Sequence, residues 1–209
     1  VYFVISRYVE IDGEPYVIEM FKRLHDNSVM DTLERERLVN KLIGYKEKVY
    51  RDVLTEAYNR RYYEEELKQK NFAAGVAMLD LDDFKYINDT YGHAVGDSVI
   101  IAVAETLQNS CRENDIVLRL GGDEFAMYIP GLLDRQAADL FIERVFAAIS
   151  SIYIPEMGTK QIYVSMGASF CLEDEEISFD RLYKEADEAM YQSKKVEGYC
   201  VTFYKHEKE

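Results

Sequence analysis

Cysteine is scarce in this 209-residue chain: Cys111, Cys171 and Cys200 are an odd number with no paired spacing. That excludes a disulfide framework and a thiolate zinc site, and it fits a reducing compartment, so a cytoplasmic location is expected. Positive charge is outnumbered, with 25 Lys and Arg against 39 Asp and Glu and a net charge of −14. So acidic a chain is a poor coat for nucleic acid and a poor partner for an anionic membrane surface. Long apolar runs are missing too. The longest, FAAGVAML and VIIAVA, fall far short of a bilayer span, so no membrane segment is expected within the chain. The start, VYFVISRYVE, lacks the basic and cleavable features of a secretory leader. With valine at position 1, the sequence reads as a piece of a longer chain. Repeats and low-complexity tracts are absent. None of this excludes a nucleotide, because a few lysines and a divalent cation can hold a triphosphate inside an acidic protein. What is present is apolar material, 48% of residues, enough for one sizeable domain and an appendage.

The pattern changes twice along the chain. Residues 1–24 read as a hairpin, two β-branched and aromatic runs around the turn chemistry of DGEP. Two strands alone are marginal in water, so residues 1–27 are expected to be the end of a larger domain. Residues 28–54 read as helix, with Val39, Leu42, Val49 and Val53 at helical spacing and charge on the other faces. Either a short coiled-coil linker or a single amphipathic helix satisfies that pattern. NRRYYEEELKQ reads as a helix capped by Asn59. From residue 72 the order is β-α-α-β-β-α-β-α-β. Two βαβ-like halves sharing a central hairpin predict an α+β fold of ferredoxin-like, palm type, an antiparallel central sheet backed by helices.

The chemistry concentrates in two stretches. In RLGGDEFAMYIPG, residues 119–131, two glycines are followed by Asp123 and Glu124 at a turn between strands. In DLDDFKYINDTYGHAVGD, residues 80–97, Asp80 stands where an apolar strand ends. Loops at strand ends are where open α/β sheets bind ligands. Two carboxylates from separate elements repel at one point unless a cation joins them. Magnesium takes a few carboxylates and completes its shell with phosphate oxygens and water. Lys85, at a helix start with free backbone N–H groups, suits a phosphate. Asn88 and Asp97 offer an amide and a carboxylate, the groups that read a guanine edge. Each of these has a plainer reading: a solvated acidic hairpin tip, a surface lysine, a loop contact, a helix cap.

Taken together, GGDEF at 121–125, DLDDFKYINDTYGHAVGD, LTEAYNRR at 54–61 and ADEAMYQSK at 186–194 resemble the GGDEF domain of bacterial diguanylate cyclases. The resemblance covers about residues 52–204. It implies that residues 55–209 form a GGDEF domain that joins two GTP molecules into cyclic di-GMP with release of pyrophosphate. It further implies that Asp80 and Asp123, with the backbone carbonyl of Leu81, hold Mg2+ or Mn2+, and that Glu124 stands close to the reacting hydroxyl. Asp82 is expected beside these ligands rather than among them. Lys85, with the backbone at Asp83 and Phe84, is implied in phosphate contact, as is Lys194; Asn88 and Asp97 match the guanine-reading pair. One domain holds one GTP, so a homodimer facing across a two-fold axis is implied. Arg112 and Asp115 form an RxxD upstream of the signature, as in the family's product-binding inhibitory site. The first 27 residues resemble the closing strands of a PAS-like sensor.

Two departures bear on these expectations. Glu56 stands where the family usually has glycine after LT, which touches the turn there. SKKVEGYC keeps Lys194 but has Glu197 and Gly198 where a glycine and a basic residue usually stand. A phosphate contact is lost there unless Lys195 compensates. His93 is expected to be structural. The alternative reading is a catalytically inactive GGDEF domain acting as a receptor for cyclic di-GMP or GTP. A different palm-fold nucleotidyltransferase shares the metal logic but leaves most of the motifs without a purpose.

Overall fold

A computed structural model describes residues 2–11, 14–23, 48–171, 177–196 and 198–205. The chain divides into two units, Val1–Lys46 and Glu47–Glu209. In the first, β1 (Tyr2–Ile11) and β2 (Glu14–Arg23) form the antiparallel hairpin expected from their β-branched runs, in register from Ile11↔Glu14 to Tyr2↔Arg23. Most of the helix expected over 28–54 lies outside the described residues. Of its end, residues 48–50 are helical and the chain then turns at 51–55.

The second unit is built on a six-stranded sheet of order β10-β8-β5-β7-β6-β3. Its strands are β3 (Tyr58–Asn59), β5 (Ala74–Leu81), β6 (Ile116–Gly121), β7 (Glu124–Pro130), β8 (Val164–Phe170) and β10 (Cys200–Phe203). A separate short pair joins β4 (Asn71–Phe72) to β9 (Ile177–Ser178). The four inner strands are antiparallel neighbours, as the sequence predicts. Both edge strands run parallel to their neighbours, β10 on β8 and β3 on β6, so the complete sheet is mixed. β5 is buried at all eight positions, which explains its unbroken apolar run: helices cover both of its faces.

Alternation along the strands sorts the two cores. Ala77, Leu79, Phe125 and Met127 pack with Val99, Val103 and Leu107 of α3 (His93–Ser110) and Ile142 and Val145 of α4 (Arg135–Ser150). Val76, Met78, Ala126 and Tyr128 pack with Phe179, Leu182, Ala186 and Met190 of α5 (Phe179–Ser193). Gly167 of β8 lets α5 come close, because a Cβ there would strike the Ala186 carbonyl and the Met190 backbone. Asn59 does cap α1 (Arg60–Tyr62), accepting from the Tyr62 N–H, but the helix continues as a π-turn over Tyr63–Leu67. The short α2 (Phe84–Tyr91) follows β5 directly. Among the described residues, no helix is long and apolar enough to cross a membrane.

Candidate active site

Register brings the carboxylates to one end of the sheet. β5 finishes there, and β7 and β8 begin there: Asp80 pairs with Glu124 on one side and with Ser165 on the other. The β6–β7 turn therefore carries Asp123 to the strand end that holds Asp80, and the Leu81 N–H reaches the Asp123 carbonyl at 3.4 Å. Gly122, at φ +52°, takes a left-handed conformation that a side chain would strain. The ladder shifts register between Arg119 and Gly121, which re-aims the turn.

An open cleft of about 1030 Å³ lies at this end. It gathers Asp80, Leu81, Asp83, Phe84, Lys85, Asp123 and Lys194 from among the residues marked out in the sequence. Lys194 Nζ stands 2.8 Å from Asp80 Oδ2. Burial pushes the Asp80 carboxyl above its ordinary value; Lys194 opposes that rise, while Asp123 and Glu124 add to it. Lys194 is itself held above the usual lysine range: burial works against it, and Asp80, Asp123 and Glu124 outweigh burial. One ammonium, paired with Asp80, faces the field of three carboxylates, leaving an excess of negative charge that a divalent cation would neutralise. Among the described residues, no three His, Cys, Asp or Glu side chains are grouped to hold a metal by themselves. Two carboxylates with room for phosphate oxygens and water suit an oxygen-seeking divalent cation.

Asp82 lines the cleft too. Its Oδ1 accepts from Ser165 Oγ at 2.7 Å, while its buried Oδ2 has no hydrogen-bond partner among the described residues. Burial raises its carboxyl as well. Asp83 takes φ +55° and caps α2 with no side-chain bond, so no side chain of its own occupies the first N–H groups of that helix. These are the donors that a phosphate at Phe84 and Lys85 would meet.

The remaining marked residues fall outside the cleft. Asn88 lies on α2 and the exposed Asp97 on α3. Gly96 joins the two helices, since a Cβ there would collide with the Asn88 amide oxygen. Arg112 and Asp115 form a self-closed turn between α3 and β6, with the Arg112 N–H donating to Asp115 Oδ2 at 2.7 Å. Arg112 lines a second cavity, of about 490 Å³, with Arg144 of α4, while Asp115 does not line it. Arg144, whose Nη2 donates to the Ser110 carbonyl at 2.8 Å, was not legible in the sequence because it lies on another helix. Arg119 was missed too. It donates from Nε and Nη2 to the Gly122 carbonyl at 3.0 and 2.8 Å, and from Nη1 to Asp52 Oδ1 at 2.9 Å. A lone charge within the apolar run IVLRLG was the available signal.

A palm-type sheet with a metal-ready carboxylate pair at its strand ends, flanked by lysines, defines a nucleotidyltransferase-like domain. The family profile described as "Diguanylate cyclase, GGDEF domain" matches residues 49–198. The chain is 36% identical to the uncharacterized protein YtrP of Bacillus subtilis, over 69% of this chain and 24% of that protein. It is 34% identical to the probable diguanylate cyclase DgcC of Escherichia coli, over 69% of this chain and 40% of that protein. The chain therefore spans less than half the length of these curated relatives. Among solved structures, the coiled coil and GGDEF domain of DgcB from Caulobacter crescentus, in complex with c-di-GMP, superposes with a TM-score of 0.70 at 30% identity. That match covers 82% of this chain and 94% of the other. The chain belongs to the GGDEF diguanylate cyclase family.

Proposed function

We propose that this chain carries the catalytic domain of a diguanylate cyclase, condensing two GTP molecules to cyclic di-GMP and pyrophosphate. The observation that carries this reading is the convergence of Asp80 and Asp123, with Lys194 paired to Asp80 and Lys85 at an uncapped helix start. Bound Mg2+ or Mn2+ would be held by Asp80, Asp123 and the Leu81 carbonyl, and would supply charge neutralisation on the triphosphate and a more acidic attacking hydroxyl. The chain's own residues orient the substrate. Lys85 and the N–H groups at the start of α2 bind phosphate oxygens, and Lys194 keeps the carboxylates in register. Asn88 and Asp97 read the guanine edge. Glu124, across the ladder from Asp80, stands next to the developing nucleophile. The 3′-hydroxyl of one GTP attacks the α-phosphate of another in line with departing pyrophosphate, so two copies of the domain must face each other.

Arg112, with Arg144 beside it, is proposed to bind cyclic di-GMP as an inhibitor, since two guanidinium groups in one cavity suit phosphates and guanine. Asp115 supports that site by closing the turn that presents Arg112.

Incubation with GTP and Mg2+, with product separated by chromatography, tests the enzyme. Cyclic di-GMP and pyrophosphate are expected from the wild type and not from Asp123→Ala. No product at high protein concentration after removal of bound cyclic di-GMP, together with binding of labelled cyclic di-GMP, would replace this reading with that of a receptor. Arg112→Ala is expected to relieve product inhibition, and unchanged inhibition would sink the inhibitory site.

A further inference from the structure

The cleft carries more positive charge than the residues assigned above account for. Lys85, Lys160, Lys194 and Lys195 all line it, in a chain whose net charge is −14. Two of them are committed to neighbours. Lys194 holds Asp80. Lys195 Nζ donates to Gln192 Oε1 at 2.7 Å, back along its own helix end, and lies 5.0 Å from the Tyr191 ring centroid. Lys85 and Lys160 enter no ion pair among the described residues. Gly198, also in the lining, contributes no side chain at all.

Lys160 is also held in position. It sits between the 3-10 turn Pro155–Met157 and β8, on a loop braced from three sides. Its own N–H donates to the Met157 carbonyl at 3.1 Å. The Asp82 N–H donates to the Tyr163 carbonyl at 2.9 Å, and the Tyr199 hydroxyl to the Ile162 carbonyl at 2.6 Å. The Lys160 ammonium lies 5.4 Å from the ring centroid of Tyr86, the residue after Lys85. The loop thereby lies beside the helix start that carries the other uncommitted lysine.

We propose that Lys160 binds the terminal phosphates of a nucleoside triphosphate whose α-phosphate lies at Asp80 and Asp123. The proposal rests on the reading of this cleft as the GTP site and deepens it. A triphosphate entering between several carboxylates needs cations not already neutralised by them. Asn88 and Asp97 do not line the cleft, whereas Lys160 lines it together with Asp80, Asp123 and Lys85, the groups placed at the phosphates. A lysine serves here as a point charge, without the fixed fork of an arginine. Lys195, turned back on Gln192, does not fill that position.

The test compares the wild type with Lys160→Ala, Lys160→Arg and Lys195→Ala, in the presence of Mg2+. Calorimetry measures binding of a non-hydrolysable GTP analogue and of GMP, and a parallel assay follows conversion of GTP to cyclic di-GMP. Losing one charge-assisted contact is expected to weaken the analogue by roughly tenfold in Lys160→Ala. GMP affinity should stay unchanged, Lys160→Arg should recover most of the loss, and Lys195→Ala should cost less than Lys160→Ala. Unchanged analogue affinity in Lys160→Ala overturns the proposal, as does an equal loss for GMP. A wild type that binds the analogue without forming product overturns the cyclase reading and leaves Lys160 to be judged by binding. A wild type that binds no nucleotide overturns both.

Discussion

Replacing Glu56 with glycine is expected to stabilise the domain. Glu56 is exposed and takes φ +58°, in the left-handed region. Its backbone is locked there, with the N–H on the Asp52 carbonyl at 2.9 Å and the carbonyl receiving Arg51 Nη1 at 3.0 Å. The side chain enters no ion pair among the described residues that would repay the strain. A left-handed L-residue costs about 1–2 kcal/mol, and the greater freedom of glycine in the unfolded chain offsets roughly 0.5–1 kcal/mol of that. The net gain is about 0.5–1 kcal/mol, which for a chain of this length moves Tm upward by about 1–4 °C. Glu56→Ala keeps the Cβ and therefore the strain, so it should stay within about 0.5 kcal/mol of the wild type. Thermal unfolding of the whole chain, followed by circular dichroism, checks both variants together. If the glycine variant melts no higher than the alanine variant, the strain argument fails. The turn itself persists despite the departure from the family's glycine, because Asp52 Oδ1 accepts from both the N–H and the hydroxyl of Thr55.

Two further outcomes follow from contacts outside the cleft lining. Asp52 is opposed by burial, yet its bonds to Arg119 and Thr55 outweigh burial and depress its carboxyl. Its folded pKa lies below the unfolded value of 3.8, so its stabilisation is present above that pH and lost as pH falls through the folded pKa. Asp52→Asn should cost about 1–2 kcal/mol at neutral pH, and the gap from the wild type in urea denaturation should close below that window; a gap constant with pH would refute the assignment. Gly96→Ala would drive a Cβ into Asn88, so discrimination of GTP over ATP should fall by roughly tenfold in competition kinetics. Unaltered discrimination would detach Asn88 from guanine reading.

Much of the fold was legible because the elements carry strong periods. The unbroken run of β5, the short apolar runs of β6 and β7 and the glycines between them give the central hairpin without any tertiary information. The edges were less legible. β3 and β10 run parallel to their neighbours, and parallel pairing depends on crossovers that span many residues rather than on a local turn. The π-turn at Tyr63–Leu67 was hidden for a related reason. Tyr63 packs against Phe179 and donates its hydroxyl to Asp180 at 2.8 Å, more than a hundred residues away.

The sequence by itself determined the chemistry available: two glycines and two acids at one turn, an acid at a strand end, and a lysine at a helix start. Residue type and local spacing are enough for that, because turn geometry and helix ends are local properties. Only the tertiary structure decided which of these groups share a cleft and which charges are already spent. Lys194 reaches Asp80 from the C-terminal end of α5, Arg119 ties the Gly122 carbonyl to Asp52, and Lys160 arrives on a loop that no motif marks. Electrostatic partnership is a matter of a few ångströms in space, and separation along the chain does not encode it.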